Sequence, residues 1–320
     1  MSIQTHKALI LEAKQGKLLV GNRCTPSPQS GQLLVKVFAT SLNPLDWKIH
    51  KHGRIIEEFP AVLGSAIAGE VEEVGEGVTT FVKGERVQIP ANVSFEEAAT
   101  IPVALTAAYV GLYNDKPFGA GLASPLVGEA NRGKYSGKPL VVLGGGSSVG
   151  EYGIQLAKLS GFSPIIVTAS SKHTEHLHYL GATAVIDRNE SFSNIIAKVK
   201  SLTSKPIDIV YDAVSTPDTQ QMAHDLLAPS GTFLTVGELG ITKADDRNHV
   251  RVIGVLQFPK NTVLLRGLYT HVTQALEEGS LKPNRFEVLP GGLEAIIDGL
   301  DRMEKNQVSG VKLVALPWGA

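Results

Sequence analysis

A single cysteine, Cys24, stands in 320 residues, which excludes an internal disulfide and a thiolate zinc cluster. No apolar run approaches the roughly 20 residues that a membrane-spanning helix needs. The opening, MSIQTHKALILEAKQGK, lacks a basic region followed by a long apolar core and a small-residue cleavage site. The expected location is therefore cytoplasmic. An excess of one charge is also missing: 30 Lys and Arg face 31 Asp and Glu. That balance gives no electrostatic reason for a nucleic acid or an anionic membrane as partner. Internal repeats and linkers of biased composition are absent too. What is abundant is glycine, 33 residues, which fits many tight turns. The length suffices for two lobes of ordinary domain size.

The first third reads as β-rich. Residues 7–11, 18–20, 32–40 and 66–74 alternate or run apolar between Gly, Pro and Asn signals. GEGVTTFVKGERV continues that texture beyond a turn at Gly75 and Gly77. At Ser94 a helix is predicted: Ser94 and Glu97 stand in capping-box spacing ahead of Ala-rich helix formers, and Pro102 interrupts or restarts it. From 138 to 236 short β-branched runs alternate with amphipathic ones. Strands are predicted at 139–143, 164–168, 184–186, 207–211 and 232–236, with helices at 149–160, 174–180, 194–202 and 219–227. Such alternation predicts an α/β protein with a doubly wound parallel sheet covered on both faces. The tail offers strand texture at 250–256, helices at 271–278 and 293–305, and a last strand at 311–316. Residues 113–257 are thus expected to form the doubly wound domain, and residues 1–112 with 258–320 a β-rich one.

The strongest local signal is PLVVLGGGSSVGEYGIQLAKLSG. An apolar strand runs into Gly144, Gly145, Gly146, Ser147, Ser148, Val149 and Gly150, and a helix follows at once. Glycines there let the backbone turn sharply and approach a pyrophosphate, whose charge is met by the N–H groups of the helix start. A strict G-x-G-x-x-G is not present, since from Gly145 its second glycine is Ser147. A bland turn is the alternative. The position at the first strand of an alternating block favours a dinucleotide. An NAD site wants a carboxylate at the end of the second strand. Here IIVTASSKH has none between Ile165 and His173. Ser170 and Lys172 suit a 2′-phosphate, with His173 beside them, and Arg188 past the third strand adds charge or stacks on adenine. The cofactor expected is NADP(H).

A catalytic zinc takes three side-chain ligands with a fourth position open. His50 with His52, and His173, His176 with His178, stand without carboxylate or thiolate companions in such a pattern. No metal site is expected.

Five stretches together carry a resemblance: LNPLDWKIHK, FPAVLGSAIAGEVEEVGEGVTTFVKGERV, EEAATIPVALTAAYVGLY, GGGSSVG and QVSGVKLVALP. They resemble the medium-chain dehydrogenase/reductase superfamily along nearly the whole chain. Within it they are most similar to the zinc-free branch, which holds quinone oxidoreductases and trans-acting enoyl reductases of fungal polyketide synthesis. Asn43 and Gly64-Ser65-Ala66 stand where zinc-dependent relatives carry Cys and His-Glu. The resemblance implies a Rossmann domain beside a GroES-like catalytic domain, and NADPH-dependent hydride transfer to an enoyl thioester or a quinone-like acceptor. It places Lys48 beside the nicotinamide ribose and the substrate, with Asn43, Asp46 and Trp47. Lys48 would hold the ribose or polarise the substrate, and Asp46 would fix the loop. Thr106 matches a position whose hydroxyl faces substrate or nicotinamide. Val308, Ser309 and Gly310, and Gly237 after the fifth strand, are implied cofactor contacts. The bland alternatives are core packing for Trp47, a helix carbonyl for the Thr106 hydroxyl, and turn chemistry for the glycines. A homodimer and a partner synthase both remain open.

The chain departs from this pattern after GERV, where Val87 joins Gln88, Ile89 and Pro90 directly. A stretch long enough for several strands of the catalytic domain is missing, and the segment between Val236 and His271 is shortened. Ala66 replaces a frequent Asp. A natural compact variant, a mis-spliced gene model and a paralogue without catalysis are the three readings. Beside the reductase stand two alternatives: a non-catalytic NADPH-binding sensor or synthase partner, and an interaction protein on a degenerate Rossmann lobe.

Overall fold

The computed structural model describes residues 4–87, 89–241 and 246–319. Residues 1–3 of the opening and Gln88 of the shortened link lie outside them. The chain divides into two units, residues 1–103 with 283–320, and residues 104–282. The breaks fall earlier and later than positions 112 and 258, so Thr106 and Tyr269 both go with the doubly wound unit.

The first unit opens with β1 (Thr5–Leu11), β2 (Leu18–Cys24), β3 (Leu33–Ser41), α1 (Pro44–His52), β4 (Ala61–Val62), β5 (Ile67–Val74) and α2 (Phe95–Ala99). β1 pairs antiparallel with β2 and with β4. β3 pairs antiparallel with β5, and the backbones come so close that a Cβ on Gly69 would stand 2.2 Å from Lys36 O. α2 starts at the expected capping box: Glu97 N–H donates to Ser94 Oγ (3.2 Å) and Ser94 N–H to Glu97 Oε2 (2.8 Å).

The shortened link is accommodated by its own backbone. Residues 84–87 run along the outer edge of β5, where Val71 N–H donates to Glu85 O, Gly84 N–H to Val71 O and Val87 N–H to Gly69 O. The Arg86 guanidinium then donates to Pro90 O (3.2 Å) and Val93 O (2.6 Å) and lies over the Phe95 ring. Part of the outer edge of β5 is thereby paired.

The second unit contains α3 (Pro102–Tyr113), β6 (Leu140–Leu143), α4 (Ser148–Ser160), β7 (Ile165–Ala169), α5 (Thr174–Leu180), β8 (Ala184–Asp187), α6 (Phe192–Leu202), β9 (Ile209–Asp212), α7 (Pro217–Leu226), β10 (Thr232–Thr235), β11 (Asn248–Arg251) and α8 (Thr262–Glu277). Its six strands are all parallel, in the order β11-β10-β9-β6-β7-β8. β6, β7, β9 and β10 are buried along their whole length, as expected where helices cover both faces. Val141, Leu143, Ile166, Val210 and Phe233 pack there against Ile195, Val199, Met222 and Ala223 of α6 and α7. The order reverses between β6 and β9, and the crevice at their carboxyl ends is where such sheets take ligands.

The chain then returns to the first unit with β12 (Phe286–Leu289), α9 (Ala295–Glu304) and β13 (Lys312–Ala315). These complete a four-stranded sheet, β12-β13-β3-β5. Leu42, Leu289, Leu300 and Leu313 form its core, with Trp47, Met303 and Val308 against them. The chain is thus α/β: a parallel Rossmann sheet and a separate β-rich unit.

Candidate active site

In the Rossmann unit the glycines are fixed by what surrounds them. Gly144 has φ +79°, a conformation that side chains disfavour. A Cβ on Gly145 would stand 2.0 Å from Val167 Cγ1, and one on Gly150 would stand 2.4 Å from Gly144 O. The turn hangs from β7, since Gly144 and Gly145 N–H both donate to Thr168 O. Ser147 caps α4, its Oγ accepting from Gly150 N–H at 3.1 Å. Ser148 and Val149 form the first helical turn. The result is a closely packed backbone turn at a helix start, with no room for a Cβ at Gly145 or Gly150, which fits a pyrophosphate.

At the end of β7 the structure brings together the residues expected to choose the dinucleotide. Ser170 follows the strand, Lys172 is exposed, and Arg188 N–H donates to Ala169 O at 2.9 Å. His173 is buried, with its ring against Gly146. Asp187 ends β8 beside them in register with Ala169, and its carboxylate accepts from Asn189 N–H.

On the other side of the crevice, Val214 packs where a Gly144 side chain would stand. Asp212, buried at the end of β9, accepts from Val214 N–H, Ser215 N–H and Thr219 Oγ1. Burial pushes its carboxyl up, and these hydrogen bonds pull it back. Ser215 sits at φ +68°, with its Oγ 2.6 Å from Thr235 Oγ1 and accepting from Gly237 N–H. Gly237 is therefore tied to the turn after β9. Thr106 is buried on α3, its hydroxyl 2.8 Å from that of Tyr269 on α8. Tyr211 donates to the next carbonyl, Ala107 O.

In the β-rich unit, α1 carries the residues that the resemblance singled out. Asn43 is buried and its amide is spent on the fold: Nδ2 donates to Ser41 O, and Oδ1 accepts from Lys312 Nζ at 2.7 Å. Asp46 Oδ2 accepts from Asn43 N–H at 2.8 Å. Trp47 lies half-buried against the same leucine core as Val308. Lys48 is exposed, with its ammonium over the Trp47 ring. Ser309 is exposed, and Gly310 takes the φ +70° of the turn before β13.

Tyr269, Lys312 and the Asp212–Ser215–Thr235 network carry no signal in the sequence. Tyr269, Lys312 and Ser215 act through partners far along the chain, Thr106, Asn43 and Thr235.

Among the described residues no three His, Cys, Asp or Glu side chains come together as a metal site. The histidine groups are otherwise engaged. His50 donates to Gly16 O, His52 packs on Trp47, His176 faces Glu151 and His178 donates to Ala182 O. No helix among the described residues is long and apolar enough to cross a membrane.

Residues 29–121 match the alcohol dehydrogenase GroES-like domain family and residues 148–267 the zinc-binding dehydrogenase family. A trans-enoyl reductase of Aspergillus sclerotiorum is 30% identical over 358 aligned positions, covering 96% of this chain and 99% of the relative. A dehydrogenase of Emericella nidulans is 30% identical, covering 97% and 99%. The first alignment is longer than the chain itself, so that relative holds residues this chain lacks. Among solved structures, a putative zinc-dependent alcohol dehydrogenase of Rhizobium etli superposes with a TM-score of 0.82 at 22% identity, covering 100% of both chains. A mycobacterial quinone oxidoreductase gives 0.73 at 22% identity, covering 97% and 99%. Identity and coverage at this level show that the chain belongs to the medium-chain dehydrogenase/reductase superfamily, as an oxidoreductase related to enoyl reductases and of a family that uses a nicotinamide cofactor.

Proposed function

We propose that this protein is an NADPH-dependent, zinc-independent reductase of an activated double bond, in an enoyl thioester or a quinone-like acceptor. The observation that carries the reading is the end of β7, where Ser170, Lys172 and Arg188 gather and no carboxylate follows the strand. Gly144, Gly145, Gly146, Ser147, Ser148, Val149 and Gly150 would hold the pyrophosphate, and Gly237 would line the nicotinamide side. Asp46, Trp47, Lys48, Val308 and Ser309 are the further cofactor contacts of this reading. A reduced nicotinamide supplies a hydride when bound. What the chain must add is a hydrogen-bond donor for the charge that grows on the substrate oxygen. Thr106 with Tyr269, and Lys48, offer such donors without a metal. Solvent protonates the α-carbon.

The test is NADPH consumption with short enoyl thioesters and quinones, with chelator present throughout. Turnover on some member is expected, and tight NADPH binding without turnover on any would overturn the reading.

The shortened β-rich unit favours a second reading, a non-catalytic NADPH-binding sensor or partner of a synthase. Lys48→Ala separates the two. A sensor keeps cofactor affinity and partner binding, while a reductase loses rate. Cytoplasmic location and a homodimer or synthase partner belong to the same proposal.

A further inference from the structure

Lys312 lies on β13 with only 4% of its surface exposed. A lysine there is unusual, because an ammonium taken out of water is costly unless it is paired and hydrogen-bonded. Its Nζ donates to Asn43 Oδ1 at 2.7 Å and to Leu42 O at 3.1 Å. Asp46 supplies the opposite charge. Asp46 in turn accepts from Asn43 N–H, and Asn43 Nδ2 donates to Ser41 O. Leu42 N–H donates to Leu313 O, which binds the same corner to β13 through backbone. Side-chain hydrogen bonds spanning as many as 270 positions of the chain thus close one polar knot at the point where β3 ends and α1 begins.

The knot is held at an energetic cost. Burial pushes Lys312 down to about 8, with Asp46 opposing that shift. Burial likewise raises Asp46, against its hydrogen bonds to Asn43 and the charge of Lys312. A buried ion pair of this kind is weak evidence for stability, and packed apolar side chains of similar volume commonly do as well. What the knot fixes is direction. α1 has nine residues, and Trp47 and Lys48 follow Asp46 directly in its first turns. A helix so short takes its orientation from its anchors.

We propose that Lys312 is a positioning residue for α1, holding the Asn43–Asp46 helix start so that Trp47 and Lys48 stand where the cofactor and substrate need them. It touches neither ligand. The proposal rests on the reductase reading for its kinetic arm only.

The experiment uses the full chain with Trp318→Phe, which leaves Trp47 as the sole tryptophan reporting on α1. Two variants are compared in that background, Lys312→Met and Lys312→Met with Asp46→Asn. The second removes the buried carboxylate charge that the first strands, so it regains thermal stability. In both, acrylamide quenching of Trp47 is expected to rise several-fold. In both, kcat is expected to fall about 10²-fold, as for a misplacement of about 1 Å. Wild-type quenching and wild-type kcat in a folded double variant would overturn the proposal. If the parent turns over no acceptor, the reductase reading fails and the quenching arm still decides the role of Lys312.

Discussion

The hydroxyls of Thr106 and Tyr269 lie 2.8 Å apart and join α3 to α8 across 163 positions of sequence. Burial raises the Tyr269 phenol above its ordinary range, with the Thr106 hydrogen bond pulling the other way. The phenol therefore stays protonated at neutral pH. The pair uses one O–H and leaves the other free to donate to a substrate oxygen. Tyr269→Phe removes that choice. A drop of about tenfold in kcat is expected with NADPH affinity unchanged, at a stability loss of about 1 kcal/mol. Steady-state kinetics and melting curves check it; an unchanged kcat would make the contact purely structural.

Gly150→Ala tests the phosphate cradle. Its Cβ would meet backbone, Gly144 O at 2.4 Å and Gly145 Cα at 2.8 Å, which cannot swing aside as a side chain can. The turn must open, at a cost of about 1–3 kcal/mol. Binding titrations should show NADPH affinity falling at least about tenfold, in step with the distortion of the helix start.

In the proposed reading Lys172 and Arg188 select the dinucleotide by pairing with the 2′-phosphate. Replacing both with Ala should weaken NADPH by about 10²-fold, at about 1.5–3 kcal/mol for each hydrogen bond to a charged group. NADH affinity should stay nearly level. Equal losses for the two nucleotides would assign these cations to the shared part of the cofactor or to the fold.

The buried lysine leaves a signature in stability against pH. Lys312 releases its proton near 8 in the native chain, and near its ordinary 10.5 once unfolded. Between those values the unfolded state holds more protons, so this group makes stability rise with pH. Below about 8 both states hold the proton and the contribution is flat. Asp46, raised above 3.8, acts in the opposite sense at the acid end, where stability falls as pH climbs through its native value. Urea melts of wild type and Lys312→Met, taken from neutral pH to about pH 11, should differ by an amount that changes above about pH 8. A constant difference would contradict the assignment.

The Rossmann unit was legible because its strands are apolar on both faces and punctuated by glycine. The predicted strand at 139–143 is β6, and the predicted helix at 174–180 is α5. The run at 250–256 misled, since it is apolar enough for a strand yet pairs only as β11, Asn248–Arg251. Beyond it Gly254 packs on Ala107, and Asn261 Nδ2 donates to Ile253 O and Val255 O, which pulls the chain off the sheet. The same Asn261 stands at the start of α8, which begins at Thr262, well ahead of the predicted 271, because Gly267 had blurred the helical pattern. α1 escaped notice as a helix because it is short and is anchored by Asp46 and Lys312 rather than by a long apolar stripe. Tertiary partners of that kind leave no periodic trace. For the same reason the sequence did not show that the Asn43 amide also ties Ser41 to Lys312.

The most direct measurement is a titration of the purified protein with NADPH and with NADH, followed by fluorescence and thermal shift. Tight, NADPH-selective binding is expected, and it should be lost when Lys172 and Arg188 are replaced with Ala. Binding of neither nucleotide, or preference for NADH, would contradict the assignment of this chain as an NADPH-dependent reductase.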